Sequence, residues 1–178
     1  MIRNPTLIKD MFDACSMGVS GIQTIGDLSA QNNLSQAMAK SLLLSCASYY
    51  ELEITELIRT SLRTHMKSKC MLAWLEPSSV EGQFFKWFDF RNAKNTNRFL
   101  AMFGAVFRDS ARKMIAAREY RTIAEADFME ICIKRNECVH KNYAAYGLDL
   151  TVSEIWGKHL NAMAFIRTVE YSLANYLS

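Results

Sequence analysis

The chain has few residues that interrupt helices. Among its 178 residues there are only two prolines, Pro5 and Pro77, and seven glycines. Proline and glycine are the residues that most disfavour a helix interior, so long helices can form here without interruption. There is also no alternation of apolar and polar residues that would predict strands, and no internal repeat. The sequence therefore predicts a single all-α domain over residues 1–178, a bundle of four long helices with additional short helices and a core from about residue 27 to residue 176.

Long apolar runs and paired cysteines are missing as well. No stretch reaches the roughly 18 apolar residues that a membrane-spanning helix requires, and no apolar run follows the first basic residue as in a signal peptide. The five cysteines are dispersed without a Cys-x-x-Cys pair. This pattern is typical of reduced core thiols rather than of a disulfide framework or a zinc site. We therefore expect a cytoplasmic protein that does not associate with membranes.

Several common catalytic and cofactor-binding motifs are absent. The sequence has no Gly-x-x-x-x-Gly-Lys-Ser/Thr loop, no Gly-x-Gly-x-x-Gly, no Gly-x-Ser-x-Gly and no His-Glu-x-x-His. Its three histidines, His65, His140 and His159, have no paired spacing, so we expect neither a metal nor another cofactor. Of these, His159 falls on the apolar face of the last helix and is expected to be a core histidine.

Positive charge is concentrated in the segment from Lys86 to Arg121. Nine basic residues and three acidic residues give this segment a charge of about +6, whereas the whole chain carries +3. We expect one helix from about Asn97, with Phe99, Phe103, Val106, Phe107 and Met114 buried and with Arg108 and Arg112 on the opposite side. Such a surface either faces solvent without further function or follows the phosphates of a nucleic acid.

Capping signals predict where the helices begin. Asn4-Pro5 opens a helix that ends near Gly18, and Asp27 or Ser29 opens a long helix to about Lys69. This long helix is expected to bury one apolar stripe, which consists of Leu43, Cys46, Ala47, Tyr50, Ile54, Leu57 and Ile58. Three segments have the capping-box form, in which a serine or threonine precedes a glutamate by three residues. They are Ser78 to Glu81, Thr122 to Glu125 and Thr151 to Glu154.

The segment Arg135-Asn136-Glu137-Cys138-Val139-His140 carries the main candidate chemistry. Phe128, Ile131, Cys132 and Val139 have the spacing of one buried helix face, and Arg135 falls within it. Because a guanidinium keeps its charge, this position predicts either a cleft or an anionic partner, for which Glu51 and Glu170 are the candidates. His140 follows about 140° around the helix, so we do not expect it on the arginine's face unless the helix frays or a second chain completes the site.

The motif Arg135-Asn136-x-x-x-His140 resembles the Arg-x4–6-His motif of the HEPN superfamily, with Asn136 as the polar residue that commonly follows the arginine. The segment from Ala39 to Ile58, in which an apolar run leads into Glu51, is similar to the early long helix of the branch called RiboL-PSP-HEPN. The resemblance implies an endoribonuclease that needs no metal. Arg135, Asn136 and His140 would be its catalytic residues, with Glu51 as a supporting residue. Lys141 and Tyr143, with Arg108 and Arg112, are further candidates for RNA binding.

The chemistry that the resemblance implies suits these residue types. The 2′-hydroxyl of RNA is the nucleophile, so cleavage requires proton transfers and positive charge on the phosphorane. His140 would transfer a proton, Arg135 would hold the non-bridging oxygens, and Asn136 would orient the phosphate or the histidine. The products would carry a 2′,3′-cyclic phosphate and a 5′-hydroxyl.

The resemblance also implies partners. HEPN proteins usually form homodimers with a composite active site, and small members act in toxin–antitoxin pairs or in anti-phage defence, with an antitoxin or defence-system protein as partner. Some carry a tyrosine two residues after the histidine that an antitoxin modifies, whereas this chain has Asn142 there and Tyr143 one residue later. The alternative is a catalytically inert helical module that dimerises and binds RNA or a protein.

Overall fold

The computed structural model describes residues 6–22, 26–92 and 95–177. It is 81% helical and has no strand in these ranges, which confirms the all-α class. The helices are α1 (Thr6–Ile22), α2 (Leu28–His65), α3 (Lys69–Leu75), α4 (Phe84–Trp87), α5 (Asn97–Ala101), α6 (Ala105–Ala116), α7 (Glu119–His140) and α8 (Val152–Leu177), with a π-helical turn at Glu76–Val80.

The long helix α2 lies at the centre of the bundle and packs against α1, α7 and α8. The Asp27 carboxylate accepts hydrogen bonds from the backbone N–H groups of Ser29 and Ala30, so Asp27 is the N-cap and Ser29, the other predicted candidate, is not. The predicted apolar stripe is buried except Leu57, which is half-buried; its buried members are Leu43, Cys46, Ala47, Tyr50, Ile54 and Ile58. Helix α2 ends at His65, earlier than predicted, because Met66 is extended and the Ser68 hydroxyl caps the new helix α3.

Of the two predicted ends of the first helix, the start cannot be compared with the structure and the end differs from it. The predicted cap at Asn4 and Pro5 lies outside the described residues. Helix α1 continues past Gly18 to Ile22 because its apolar face still has core contacts there, and Ile22 is only 7% exposed.

The predicted capping box at Ser78 to Glu81 is wrong. The Ser78 hydroxyl donates to the carbonyl of Trp74 at 2.8 Å and therefore bonds backwards into the preceding helix. The Glu81 N–H donates to the carbonyl of Glu76 and closes the π-helical turn. The next helix, α4, begins only at Phe84.

The aromatic segment that follows, from Phe84 to Phe90, belongs to the core. Phe84, Trp87, Phe88 and Phe90 are buried. The Phe88 ring stacks on that of Phe99 with centroids 4.7 Å apart. These buried rings fix the backbone of residues 84–92 and 95–99 against the bundle, so the polar side chains next to them are held along its surface.

The predicted basic helix is divided into α5 and α6. Gly104 has a φ of 95°, which a helix interior does not allow, and the chain turns there. Val106, predicted to be buried, is 71% exposed as a result.

The second predicted capping box, Thr122 to Glu125, is also wrong because α7 already begins at Glu119. The Glu125 carboxylate instead bonds to the N–H of Thr96 at 2.8 Å and to the Arg112 guanidinium at 2.5 and 2.9 Å. Arg112 is therefore a partner in a partly buried ion pair and does not lie on a free basic face.

The third capping box is confirmed at the start of α8. The Thr151 N–H donates to the Glu154 carboxylate at 2.8 Å, and the Glu154 N–H donates to the Thr151 hydroxyl at 3.2 Å. The preceding loop is held to α2 by the side chain of Gln36, which bonds to both the N–H and the carbonyl of Leu148. These contacts fix the chain that leaves the C-terminal end of α7.

Candidate functional site

The three residues of the candidate motif line one open cleft of about 600 Å³. One wall is the C-terminal part of α7, with Arg135, Asn136 and His140. The other wall is formed by residues of the aromatic segment and by the start of α5: Phe85, Lys86, Phe88, Asp89, Phe90, Arg91 and Arg98. We call this space the basic cleft.

Helix geometry explains how the three residues reach one cleft. Asn136 and His140 are four residues apart and lie on the same side of α7. Arg135 lies about 100° around the helix from Asn136. Arg135 and His140 therefore lie on different faces of α7, as expected from their spacing, yet both side chains line the same cleft.

The apolar stripe of α7 ends differently from the prediction. Cys138 is buried, whereas Val139 is 47% exposed. Cys138 lies three residues after Arg135, so the arginine still falls within the core-facing stripe and is half-buried. Burial raises the pKa of the Cys132 thiol, one turn before Arg135, and the nearby guanidinium partly opposes that rise.

Arg135 packs on an aromatic ring rather than pairing with an acid. Its guanidinium carbon lies 4.1 Å from the centroid of the Phe85 ring, a cation–π contact. Among the described residues, no carboxylate forms an ion pair with Arg135, so neither Glu51 nor Glu170 fills that role. The cation–π contact orients the guanidinium without neutralising it, and the positive charge remains for an anion in the cleft.

Asn136 and His140 present polar groups to the cleft. Asn136 is half-buried, and His140 is exposed as the last residue of α7. In the part of the chain that the structure describes, neither side chain makes a hydrogen bond with protein. Both are therefore available to a ligand.

Three cations of the basic cleft were not singled out as site residues from the sequence. Lys86, Arg91 and Arg98 are exposed and line the wall opposite α7. The sequence shows that the segment as a whole is basic, but it does not show which of its cations form ion pairs. The lining carboxylate is that of Asp89, which accepts a hydrogen bond from the backbone N–H of Asn92 at 3.1 Å. That bond is the main reason why the pKa of Asp89 is lowered.

The other candidate residues lie outside the basic cleft. Glu51 lines a separate groove with Arg59 and Glu81. Arg108 pairs with its neighbour Asp109 at 2.8 Å, and Arg112 pairs with Glu125 as described. None of the three predicted residues Glu51, Arg108 and Arg112 therefore lines the cleft that contains the motif.

Lys141 and Tyr143 lie beyond the end of α7. Lys141 lines a depression of about 260 Å³ next to the basic cleft. Asn136 and His140 line this depression as well as the cleft. The ammonium group of Lys141 pairs with Glu137 at 3.0 Å. Tyr143 lines a different depression, where its carbonyl accepts a bond from the ammonium group of Lys40 at 2.9 Å.

His159 is a core histidine, as predicted. It is 4% exposed, and its Nδ1 shares a hydrogen bond with the Tyr50 hydroxyl at 3.1 Å. Its ring stacks on those of Tyr50 and Trp156. Burial lowers the pKa of His159 to about 4, so the ring is neutral at physiological pH and belongs to the packing of the bundle.

Two further observations concern the whole described structure. Across residues 6–22, 26–92 and 95–177, no three side chains of the histidine, cysteine, aspartate and glutamate types are grouped so that they could hold a metal ion. In the same ranges, no helix combines the length and apolar character that crossing a membrane requires.

Comparison of the chain with models of protein families, with curated proteins and with solved structures returned no match.

Proposed function

We propose that this protein is an endoribonuclease of HEPN type that cuts RNA by transesterification without a metal ion. The observation that supports the proposal most is the meeting of Arg135, Asn136 and His140 in one cleft, where the guanidinium has no carboxylate partner. A phosphodiester is the anion that this combination of cation, amide and imidazole suits best.

In this reaction the 2′-oxygen of a ribose forms a bond to the adjacent phosphorus, and the bond from phosphorus to the 5′-oxygen breaks. His140 accepts the proton of the 2′-hydroxyl, since imidazole is suited to proton transfer near neutral pH. The Arg135 guanidinium holds the non-bridging oxygens as negative charge accumulates on them. Asn136 donates a hydrogen bond to the same phosphate, and the products carry a 2′,3′-cyclic phosphate and a 5′-hydroxyl.

The departing 5′-oxygen must receive a proton. Within the described residues, His140 is the one histidine that lines the basic cleft. A second copy of the chain, placed with its α7 end against this cleft, would supply another His140 as the acid. We therefore propose a homodimer with a composite site, active in the cytoplasm as a toxin or an anti-phage effector and controlled by an antitoxin or defence-system protein.

The test is incubation of the purified protein with total RNA in the presence of EDTA. Wild-type protein is compared with Arg135→Ala and His140→Ala, and with Lys113→Ala, which removes an exposed cation of α6 outside the cleft. The proposal predicts cleavage by wild type and by Lys113→Ala, and loss of at least about 100-fold in the other two variants. Equal cleavage by all four proteins, or cleavage that EDTA abolishes, would contradict it.

A binding module without catalysis is the second candidate. The observation that favours it is the set of cations without carboxylate partners, since these would bind phosphates whether or not His140 transfers a proton. Under this alternative, wild type binds RNA but does not cleave it, and His140→Ala has the same affinity as wild type.

A further inference from the structure

We propose that Lys86, Arg91 and Arg98 form a phosphate-binding wall that holds the backbone of single-stranded RNA next to the phosphate bound by Arg135. The identity of the polymer rests on the proposed function, whereas the wall itself is argued from pairing, anchoring and charge. We call these three residues the cationic wall.

Pairing separates the cationic wall from about half of the basic residues of the neighbouring helices. Five cations of α6, α7, α8 and the residue after α7 form ion pairs with carboxylates: Arg108, Arg112, Lys134, Lys141 and Lys158. In the described ranges, Lys86, Arg91 and Arg98 form none. The Asp89 carboxylate is near enough to Arg98 for the guanidinium to contribute to its lowered pKa, but an anion that enters the cleft has no existing ion pair of these three cations to break.

Each residue of the cationic wall is next in sequence to a buried aromatic residue. Lys86 precedes Trp87, Arg91 follows Phe90, and Arg98 precedes Phe99, and these three rings are at most 6% exposed. The backbone at all three cations is consequently fixed by core packing, while the charged ends extend into solvent. This arrangement reduces the loss of conformational freedom on binding, because only the side-chain ends have to be ordered.

The charge of the basic cleft favours several phosphates rather than one. With Arg135, the cationic wall contributes four positive charges, and Asp89 contributes one negative charge that is already engaged by Asn92. The resulting +3 exceeds what one phosphodiester neutralises. A chain of phosphates would satisfy it, since each nucleotide of a single strand carries one charge.

The size of the cleft favours a single strand over a duplex. The volume of about 600 Å³ is comparable to that of a short stretch of single strand and is far smaller than one turn of a double helix. An extended strand fits in such a cleft, whereas a double helix is wider and would contact its rim alone. In a single strand the ribose can also rotate until its 2′-hydroxyl is in line with the bond that breaks.

The experiment measures binding without cleavage. A fluorescent 2′-O-methyl oligoribonucleotide lacks the nucleophile, so its anisotropy reports affinity alone. Affinities are measured at several salt concentrations for wild type, Lys86→Ala, Arg91→Ala and Arg98→Ala. Each phosphate contact contributes about 0.7 to the slope of log K against log salt for a single strand. Lys113→Ala and Arg167→Ala are matched controls, because both remove exposed cations that do not line the cleft.

We expect each cationic-wall variant to lower the slope by about 0.7 and each control to leave it unchanged. We also expect a duplex of the same length to bind more weakly than the single strand. Equal slopes for cationic-wall variants and controls would overturn the proposal, as would preferential binding of the duplex. Thermal unfolding of each variant shows whether it is folded, and Arg→Lys replacements at 91 and 98 restore the slope if charge is the cause.

The outcome also separates this inference from the proposed function. Slopes that depend on the cationic wall, together with no cleavage of ordinary RNA by wild type, would support the phosphate-binding wall and reject the nuclease. Cleavage of RNA with slopes that do not depend on the wall would reject the wall and leave the nuclease.

Discussion

The buried histidine of α8, His159, makes the free energy of unfolding depend on pH in a range that few other groups affect. Burial lowers the pKa of His159 from 6.5 to about 4. Between these values the unfolded chain binds a proton at this position and the folded chain does not, so folding stability falls as the pH falls below 6.5. Proton linkage with these two values gives a loss of about 2 kcal/mol between pH 7 and pH 5.

Carboxylates affect a lower range. The pKa of Glu125 is lowered by the hydrogen bonds of Arg112 and Thr96, which outweigh its burial. A lowered carboxyl pKa gives stability that is present above the ordinary value and is lost as the pH falls through the folded value. That loss lies below about pH 4.5, so the interval from pH 7 to pH 5 isolates the histidine.

The assay is urea unfolding of wild type and of His159→Asn at both pH values. Asparagine keeps a polar group near the Tyr50 hydroxyl but does not titrate. The free energy of unfolding of wild type should fall about 2 kcal/mol more than that of the variant, which corresponds to about 4–8 °C in Tm for a chain of this size. An equal fall in both proteins would refute the assignment of His159 as a neutral, buried group.

Three other predictions follow from single contacts or from the exposure of a single side chain. Arg112→Met leaves the Glu125 carboxylate, whose side chain is 7% exposed, without its guanidinium partner, so the free energy of urea unfolding should fall by about 3 kcal/mol. The salt slope for RNA binding should not change. A changed slope with unchanged stability would instead show that Arg112 binds RNA. Phe85→Leu removes the ring under Arg135, and kcat/KM for RNA should fall about fivefold while Phe85→Tyr keeps wild-type activity; equal activity in both variants would contradict the contact. Cys70 is exposed and the other four cysteines are buried, so a thiol reagent should label one site in the native protein and none in Cys70→Ser; rapid labelling of that variant would contradict the burial.

Part of the fold could be predicted because local signals and core packing agree. The stripe of α2 is buried as predicted apart from Leu57, and Asp27 caps that helix because its short carboxylate reaches the first free N–H groups. The capping box of α8 also forms. In these cases the residues that begin a helix lie directly before the apolar pattern that continues it.

The other boundaries depended on contacts distant in sequence. Glu125 has the spacing of a capping box, but the guanidinium of Arg112 and the backbone of Thr96 bind its carboxylate instead. Gly104 divides the basic helix, although an isolated glycine is tolerated in many helices. Sequence spacing does not show which of two available partners a side chain binds.

Part of the site likewise depends on contacts that are distant in sequence. The motif itself indicated Arg135, Asn136 and His140, and the structure places all three along one cleft. The ring beneath Arg135 comes from a segment that precedes it by fifty residues, so its contact follows from the tertiary fold. Lys86, Arg91 and Arg98 became distinguishable from Arg108 and Arg112 only when the ion pairs of the latter two were known.

The central claim is that Arg135 and His140 act on a phosphodiester whose own 2′-hydroxyl is the nucleophile. The most direct measurement is mass spectrometry of the ends formed when wild-type protein acts in EDTA on a single-stranded RNA pool of random sequence, beside the same pool with 2′-O-methyl groups. The account predicts 2′,3′-cyclic phosphate and 5′-hydroxyl ends from the RNA pool, no cleavage of the methylated pool, and no cleavage of either pool by His140→Ala. Ends with a 3′-hydroxyl and a 5′-phosphate, or cleavage of the methylated pool, would contradict it.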